Sequence, residues 1–172
     1  TVTGVQTCAL PILGKLLLGP SVIATLQLMS AHGVLAHIIP STTHRFRSDD
    51  FGVLDRLMVL EDLHDRPGLW RRLAALLHRD EDRMKALAKR YKISNRDRDA
   101  LMGLSSRVPA KALNWALYLD GPDAALDRLL LDAAEMNAPA SGDYVNRILS
   151  YQPTVLPISG QDALDLGMAP GP

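Results

Sequence analysis

The residues best suited to chemistry are the arginines and lysines of residues 71–98. Ten cations stand there against four carboxylates, although the whole chain carries 19 basic and 19 acidic residues and is neutral. Closely spaced cations bind phosphate backbones by releasing counterions, without reading base sequence. The cations are Arg71, Arg72, Arg79, Arg83, Lys85, Lys89, Arg90, Lys92, Arg96 and Arg98.

Four of these cations are the predicted RNA-binding residues, because they straddle a helix-to-helix turn where side chains can converge: Lys89, Arg90, Lys92 and Arg96. The alternative interpretation is a pair of solvated helix faces, with Arg71 and Arg72 projecting away from the apolar side of their helix. The neutral chain offers no argument from global charge, and an aromatic content of 5% disfavours a base-stacking platform.

Carboxylate pairs are the next candidates, since a nucleotidyltransferase holds magnesium with closely spaced carboxylates, usually on a strand after a Gly-Ser. The pairs here are Asp49-Asp50, Glu61-Asp62 and Asp80-x-Asp82. None follows a Gly-Ser, and all fall on or just before predicted helices. We interpret them as helix caps and first-turn acids, which the helix dipole favours. No catalytic residue and no metal ligand is predicted in this chain.

The histidines and the single cysteine offer weaker patterns. His64-Asp65 resembles the HD pair of metal-dependent phosphohydrolases, but the further ligands which that chemistry needs have no counterpart in the sequence. His32, His37 and His44 are interpreted as structural residues. Cys8 lies among the first twelve residues, which we set aside below.

The elements that must position these side chains are helices. Apolar residues recur at three-to-four spacing, and no alternating run long enough for a strand is present. The pattern predicts an all-α fold, an irregular stack of about eight or nine short helices. Gly19-Pro20, Gly33 and Gly121-Pro122 are predicted helix breaks, with Gly19 as a left-handed C-terminal residue. Beyond residue 50, helices are predicted to begin near Phe51, Leu69, Glu81, Ser94, Pro109, Pro122, Ser141 and Ser159.

Two stretches carry a family resemblance. Residues 15–40 read KLLLGPSVIATLQLMSAHGVLAHIIP. This helix end, Gly/Pro break, apolar helix and Ile-Ile-Pro close resembles the neck region of the CCA-adding tRNA nucleotidyltransferase and poly(A) polymerase family. Residues 157–172 read PISGQDALDLGMAPGP, which resembles a Pro-Gly-Pro signature in the C-terminal region of bacterial members. The resemblance covers residues 13–172 and is carried by its two ends.

The resemblance implies a tRNA-processing role. The parent enzyme would add 3′ CCA to tRNA from CTP and ATP with magnesium, using a catalytic head that lies upstream of Leu13. This chain would supply tRNA-binding helical scaffold, hold no cofactor itself, and be inactive as a transferase alone. Two alternatives stay open: a poly(A) polymerase of the same superfamily, or a non-enzymatic helical interaction domain.

The expected domain organisation follows from the same reasoning. Residues 1–12 resemble a translated sequencing adapter and are interpreted as a scar. Residues 13–45 would be the end of the neck with RNA-binding character, 46–156 a helical body, and 157–172 the start of a truncated tail. No run reaches about 18 apolar residues, so no membrane span is predicted. We expect a cytoplasmic protein.

Overall fold

The computed structural model describes residues 3–39, 51–107, 113–153 and 165–167. In these ranges the chain forms nine helices and no strand, which confirms the predicted all-α fold. In order they are α1 (Thr3–Leu17), α2 (Val22–Ala31), α3 (Val34–Ile38), α4 (Gly52–Leu63), α5 (Leu69–Leu76), α6 (Glu81–Tyr91), α7 (Asn95–Gly103), α8 (Leu113–Met136) and α9 (Gly142–Leu149).

The break after α1 lies where the sequence predicts it, but its geometry differs. Gly19 has no positive φ, so its prediction as a left-handed residue is wrong. The Gly19 amide instead donates to the carbonyl of Leu16 at 3.1 Å, which closes the helix with a tighter turn. A Cβ atom at Gly19 would lie 3.3 Å from two backbone oxygens, so close backbone approach explains the glycine.

The second predicted break is confirmed, because Gly33 adopts φ +72 and ends α2. The apolar residues after it form the five-residue helix α3. On α2, Val22 and Leu26 are buried, whereas Leu28 is exposed and lies off the buried face.

Helix α8 contains the third predicted break. Gly121 has φ 82 and ψ 171 inside it, so two helical segments meet there at a kink. Pro122 follows as a first-turn residue. Proline has no backbone N–H, and an N–H at this position would have no partner within the helix, so no hydrogen bond is lost. The predicted helix start at Pro109 lies outside the described residues.

Helix caps at two further predicted starts are confirmed. The Asp80 carboxylate accepts from the Arg83 amide at 3.0 Å. The Ser94 hydroxyl accepts from the Asp97 amide at 3.1 Å and donates to the Asp97 carboxylate at 2.7 Å. Each cap satisfies an amide that the first helical turn leaves without a partner. Of the predicted helix at 159–166, only its end is described, where Gly167 has φ +86.

One apolar core joins the helices. It extends from Leu13 of α1 through Leu57 of α4, Leu73 of α5 and Leu87 of α6 to Ile148 of α9. Helix α5 lies at its centre, in contact with α1, α4, α7 and α8. Packing against these four helices therefore holds the residues at the ends of α5 in place. Among the helices described, none is long and apolar enough to cross a membrane.

Candidate nucleic-acid interface

Three of the ten cations in residues 71–98 are interior. Arg71 is 2% exposed, Arg72 4% and Arg79 7%. The prediction that Arg71 and Arg72 project away from the packed side of α5 is therefore wrong. Buried charges of this kind require paired carboxylates and hydrogen bonds, and the structure supplies both.

Glu61 is the carboxylate that holds the first two arginines. It is fully buried near the end of α4, accepts from Arg71 Nε at 2.8 Å through Oε1, and from Arg72 Nε through Oε2. Its Oε1 also accepts from the Gly68 amide at 3.1 Å. Arg72 Nη1 reaches the Leu17 carbonyl at 2.6 Å. Glu61 thus links α4 to α5, Arg72 links α5 to α1, and the interpretation of Glu61 as a cap or first-turn acid is wrong.

Two of these three buried arginines, Arg71 and Arg79, join α8 to this framework. Arg71 Nη1 also donates to Asp127 of α8. Arg79 donates through Nε to the Leu104 carbonyl at 2.6 Å and through Nη1 to Asp132 of α8. These guanidinium groups act as internal cross-links, so neither is available to a ligand.

The seven remaining cations divide by their partners. Arg83 pairs with Asp80, Lys85 with Glu81 at 2.6 Å, and Arg98 with Asp99 at 3.1 Å. The hydrogen bond that Lys85 donates to Glu81, together with the charge of Glu81, raises the pKa of Lys85. The other four of these seven have no carboxylate at ion-pair distance among the described residues: Lys89, Arg90, Lys92 and Arg96. They are the four predicted RNA-binding residues, all are exposed, and we call them the basic turn.

The backbone of the basic turn is fixed at both sides. Helix α6 ends at Tyr91, and Lys92 follows in the left-handed conformation with φ 49 and ψ 45. The Ser94 cap then starts α7 only three residues after Tyr91. Lys89 and Arg90 therefore occupy the last turn of one helix and Arg96 the first turn of the next. Local cap and helix-stop signals in the sequence are sufficient to place these residues together.

A second contact ties the basic turn to the N-terminal helices. Arg90 Nη2 donates to the His37 carbonyl at 2.6 Å, and the Tyr91 hydroxyl donates to the Ile38 carbonyl at 2.5 Å. The Arg90 guanidinium carbon lies 5.9 Å from the centre of the Tyr91 ring. Burial raises the pKa of Tyr91, against a smaller opposing effect of the Arg90 charge. The end of α3 is thus held beside the basic turn.

A groove of about 410 Å³ opens next to Lys92. Trp70 of α5, Tyr91, Ile93 and Asp97 line it, and we call it the Trp70 groove. Further walls come from Leu10, Pro11, Gly14 and Leu69. Sequence reasoning did not single out Trp70, because nothing in its neighbourhood along the chain indicates that α5 meets α6 and α7 here.

The other sequence candidates are not brought together into a site. His32 and His64 occupy the C-terminal ends of α2 and α4, and His37 is exposed on α3. His44 and the Asp49-Asp50 pair lie outside the described residues. No three His, Cys, Asp or Glu side chains in the described ranges are grouped so that they could hold a metal ion.

Comparisons of the chain with protein-family models, with curated proteins and with solved structures find no match.

Proposed function

We propose that this chain is a tRNA-binding helical part of a CCA-adding tRNA nucleotidyltransferase, and that the basic turn binds the phosphate backbone of tRNA. The observation that carries the proposal is the exposure of four cations that have no carboxylate partner among the described residues. Lys89, Arg90, Lys92 and Arg96 are exposed and have no carboxylate partner in the described structure, whereas the six other cations of the section do.

The charge arrangement suits a polyanion. A cation that is already paired must lose its carboxylate before it can bind a phosphate, while an unpaired exposed cation loses only water and counterions. Four such cations on one short helix-to-helix turn concentrate positive charge where backbone phosphates could bind, although one N–H of Arg90 already donates to the His37 carbonyl. They give affinity without base specificity.

The enzyme family is proposed from the sequence resemblance of residues 15–40 and 157–172. Two contacts are consistent with it: the bonds from Arg90 and Tyr91 to α3 hold the neck-like segment against the basic turn. The proposed parent adds 3′ CCA from CTP and ATP in the cytoplasm. The resemblance implies that its magnesium belongs to the catalytic head.

The test is binding of labelled tRNA to the 172-residue chain over a range of salt concentrations. Four phosphate contacts predict that log K falls with log salt at a slope of about −3 to −4. Binding without salt dependence, or no binding at low salt, would contradict the proposal. Addition of CTP or ATP to the complete protein then separates CCA addition from poly(A) synthesis.

A protein-binding domain is the second candidate, and one observation favours it. Trp115, Tyr118 and Leu119 are 63%, 62% and 58% exposed on one face of α8. The two aromatic rings stack at 5.9 Å between centres. Exposed apolar side chains at i, i+3 and i+4 are typical of a helix face that contacts another protein. The tRNA titration discriminates between the two candidates. This face carries no cation of the basic turn, so salt-dependent binding of tRNA favours the first candidate over the second.

A further inference from the structure

The Trp70 groove lies directly beside the basic turn and differs from it in chemistry. Lys92 belongs to both, so a phosphate bound at Lys92 would lie beside the groove. The interior presents an indole and a phenol ring, with Leu69 and Ile93 as aliphatic walls. A charged site therefore continues into an aromatic one, the combination that proteins use for unpaired nucleotides.

The groove is anchored on well-packed elements. Trp70 is half-buried on α5 and packs against the apolar core. Tyr91 is 9% exposed, and its hydroxyl is bound to the Ile38 carbonyl. Both rings are thus held in place before any ligand arrives, which lowers the entropy cost of stacking on them.

Asp97 is an acidic residue in the lining of the groove. One oxygen of its carboxylate accepts a hydrogen bond from the Ser94 hydroxyl. A carboxylate repels a phosphate but accepts from the N–H groups on a base edge. Phosphates should therefore stay on the Lys92 side while a base turns toward Asp97.

We infer that the Trp70 groove binds one unpaired nucleobase of the RNA whose phosphates lie on the basic turn, stacked on Trp70. The inference rests on the proposed function, since it places a base next to backbone bound there. It uses only residues of α5, α6 and α7 and their connections. Leu10 and Pro11 of the facing wall belong to the segment interpreted as a scar, and carry no part of the argument.

Tryptophan fluorescence tests the inference, because the chain contains two tryptophans, Trp70 and Trp115. The Trp115→Phe variant leaves Trp70 as the only reporter, and the matched Trp70→Phe variant leaves Trp115. A base stacked on Trp70 quenches its emission as tRNA is added, with the concentration dependence of tRNA binding. The emission of Trp115 should stay constant.

The affinity for tRNA provides a second measurement. Trp70→Leu should weaken binding roughly tenfold, and Trp115→Leu should leave it unchanged. Circular dichroism and urea unfolding of each variant establish that both remain folded. If the wild-type chain binds tRNA with salt dependence while Trp70 emission does not change, the inference is overturned and the proposed function stands. If the chain does not bind tRNA at all, both are overturned.

Discussion

Glu61 Oε1 accepts a hydrogen bond from Arg71 Nε at 2.8 Å, and both side chains lie inside the protein, with 0% and 2% exposure. The second oxygen of Glu61 binds Arg72. One carboxylate of α4 thus pairs with two adjacent guanidinium groups of α5, and Asp127 of α8 gives Arg71 a second carboxylate partner. Because α5 also carries Trp70, this ion cluster fixes the helix that forms one wall of the groove.

Removing the Glu61 carboxylate should strongly destabilise the protein. Glu61→Ala leaves two arginines buried with a lost partner, so we expect the free energy of unfolding to fall by about 3–5 kcal/mol. Urea unfolding followed by circular dichroism measures this. The control is Glu81→Ala, which removes an exposed partner of Lys85 and should leave the unfolding midpoint nearly unchanged. Equal effects of the two variants would contradict the structural role of Glu61.

The helix caps offer a second matched pair. Ser94→Ala removes the hydroxyl that accepts from the Asp97 amide, and should destabilise the protein by about 1 kcal/mol. Ser141 occupies the corresponding position before α9 but makes no side-chain cap bond. Ser141→Ala should therefore cost less than Ser94→Ala in the same unfolding assay. The reverse order would contradict the cap geometry at α7.

Local rules predicted much of this fold, and long-range packing accounts for what they missed. Gly33 and Gly121 could be recognised as breaks because glycine, which has no Cβ atom, adopts positive φ readily in any context. The burial of Arg71 could not, since its partners lie 10 and 56 positions away on α4 and α8. From sequence alone, an arginine is predicted to be exposed unless the packing that places carboxylates beside it is known.

The same distinction applies to the candidate site. Lys89, Arg90, Lys92 and Arg96 could be selected because a helix-to-helix turn keeps neighbours in sequence close in space. The Trp70 groove could not be predicted, because it forms where α5 meets the connection between α6 and α7. No periodicity in the sequence encodes that contact.

Substitutions of Lys92 should affect the stability of the protein and its binding of tRNA in different ways, because of the backbone conformation of this residue. Its φ of 49 is a conformation that favours glycine, so Lys92→Gly should keep the free energy of unfolding or raise it by up to about 1 kcal/mol. The same change should weaken tRNA binding, because a phosphate-binding cation is lost. Lys92→Gln serves as the control: it should weaken binding equally without the gain in stability. A Lys92→Gly variant that binds tRNA as tightly as the wild type would contradict the role of Lys92.

Tyr91 should titrate late in alkali. Burial raises its pKa above the ordinary value of 10.0, and its hydroxyl donates a hydrogen bond that ionisation would remove. A phenol whose pKa is higher in the folded state contributes stability below pH 10, and this contribution is lost as pH rises through the folded pKa. Absorbance at alkaline pH, with Tyr91→Phe subtracted, should show this midpoint. A midpoint below 10 would contradict the buried hydrogen bond to Ile38.

The central claim is that the basic turn binds tRNA phosphate, and a comparison of two double variants tests it most directly. Lys89→Gln with Lys92→Gln removes two unpaired cations, while Lys85→Gln with Arg98→Gln removes two paired ones from the same section. Both change the net charge equally. We predict that only the first pair lowers tRNA affinity and reduces the salt slope, by about two. Equal losses in both variants would contradict the claim, because binding would then follow total charge instead of these residues.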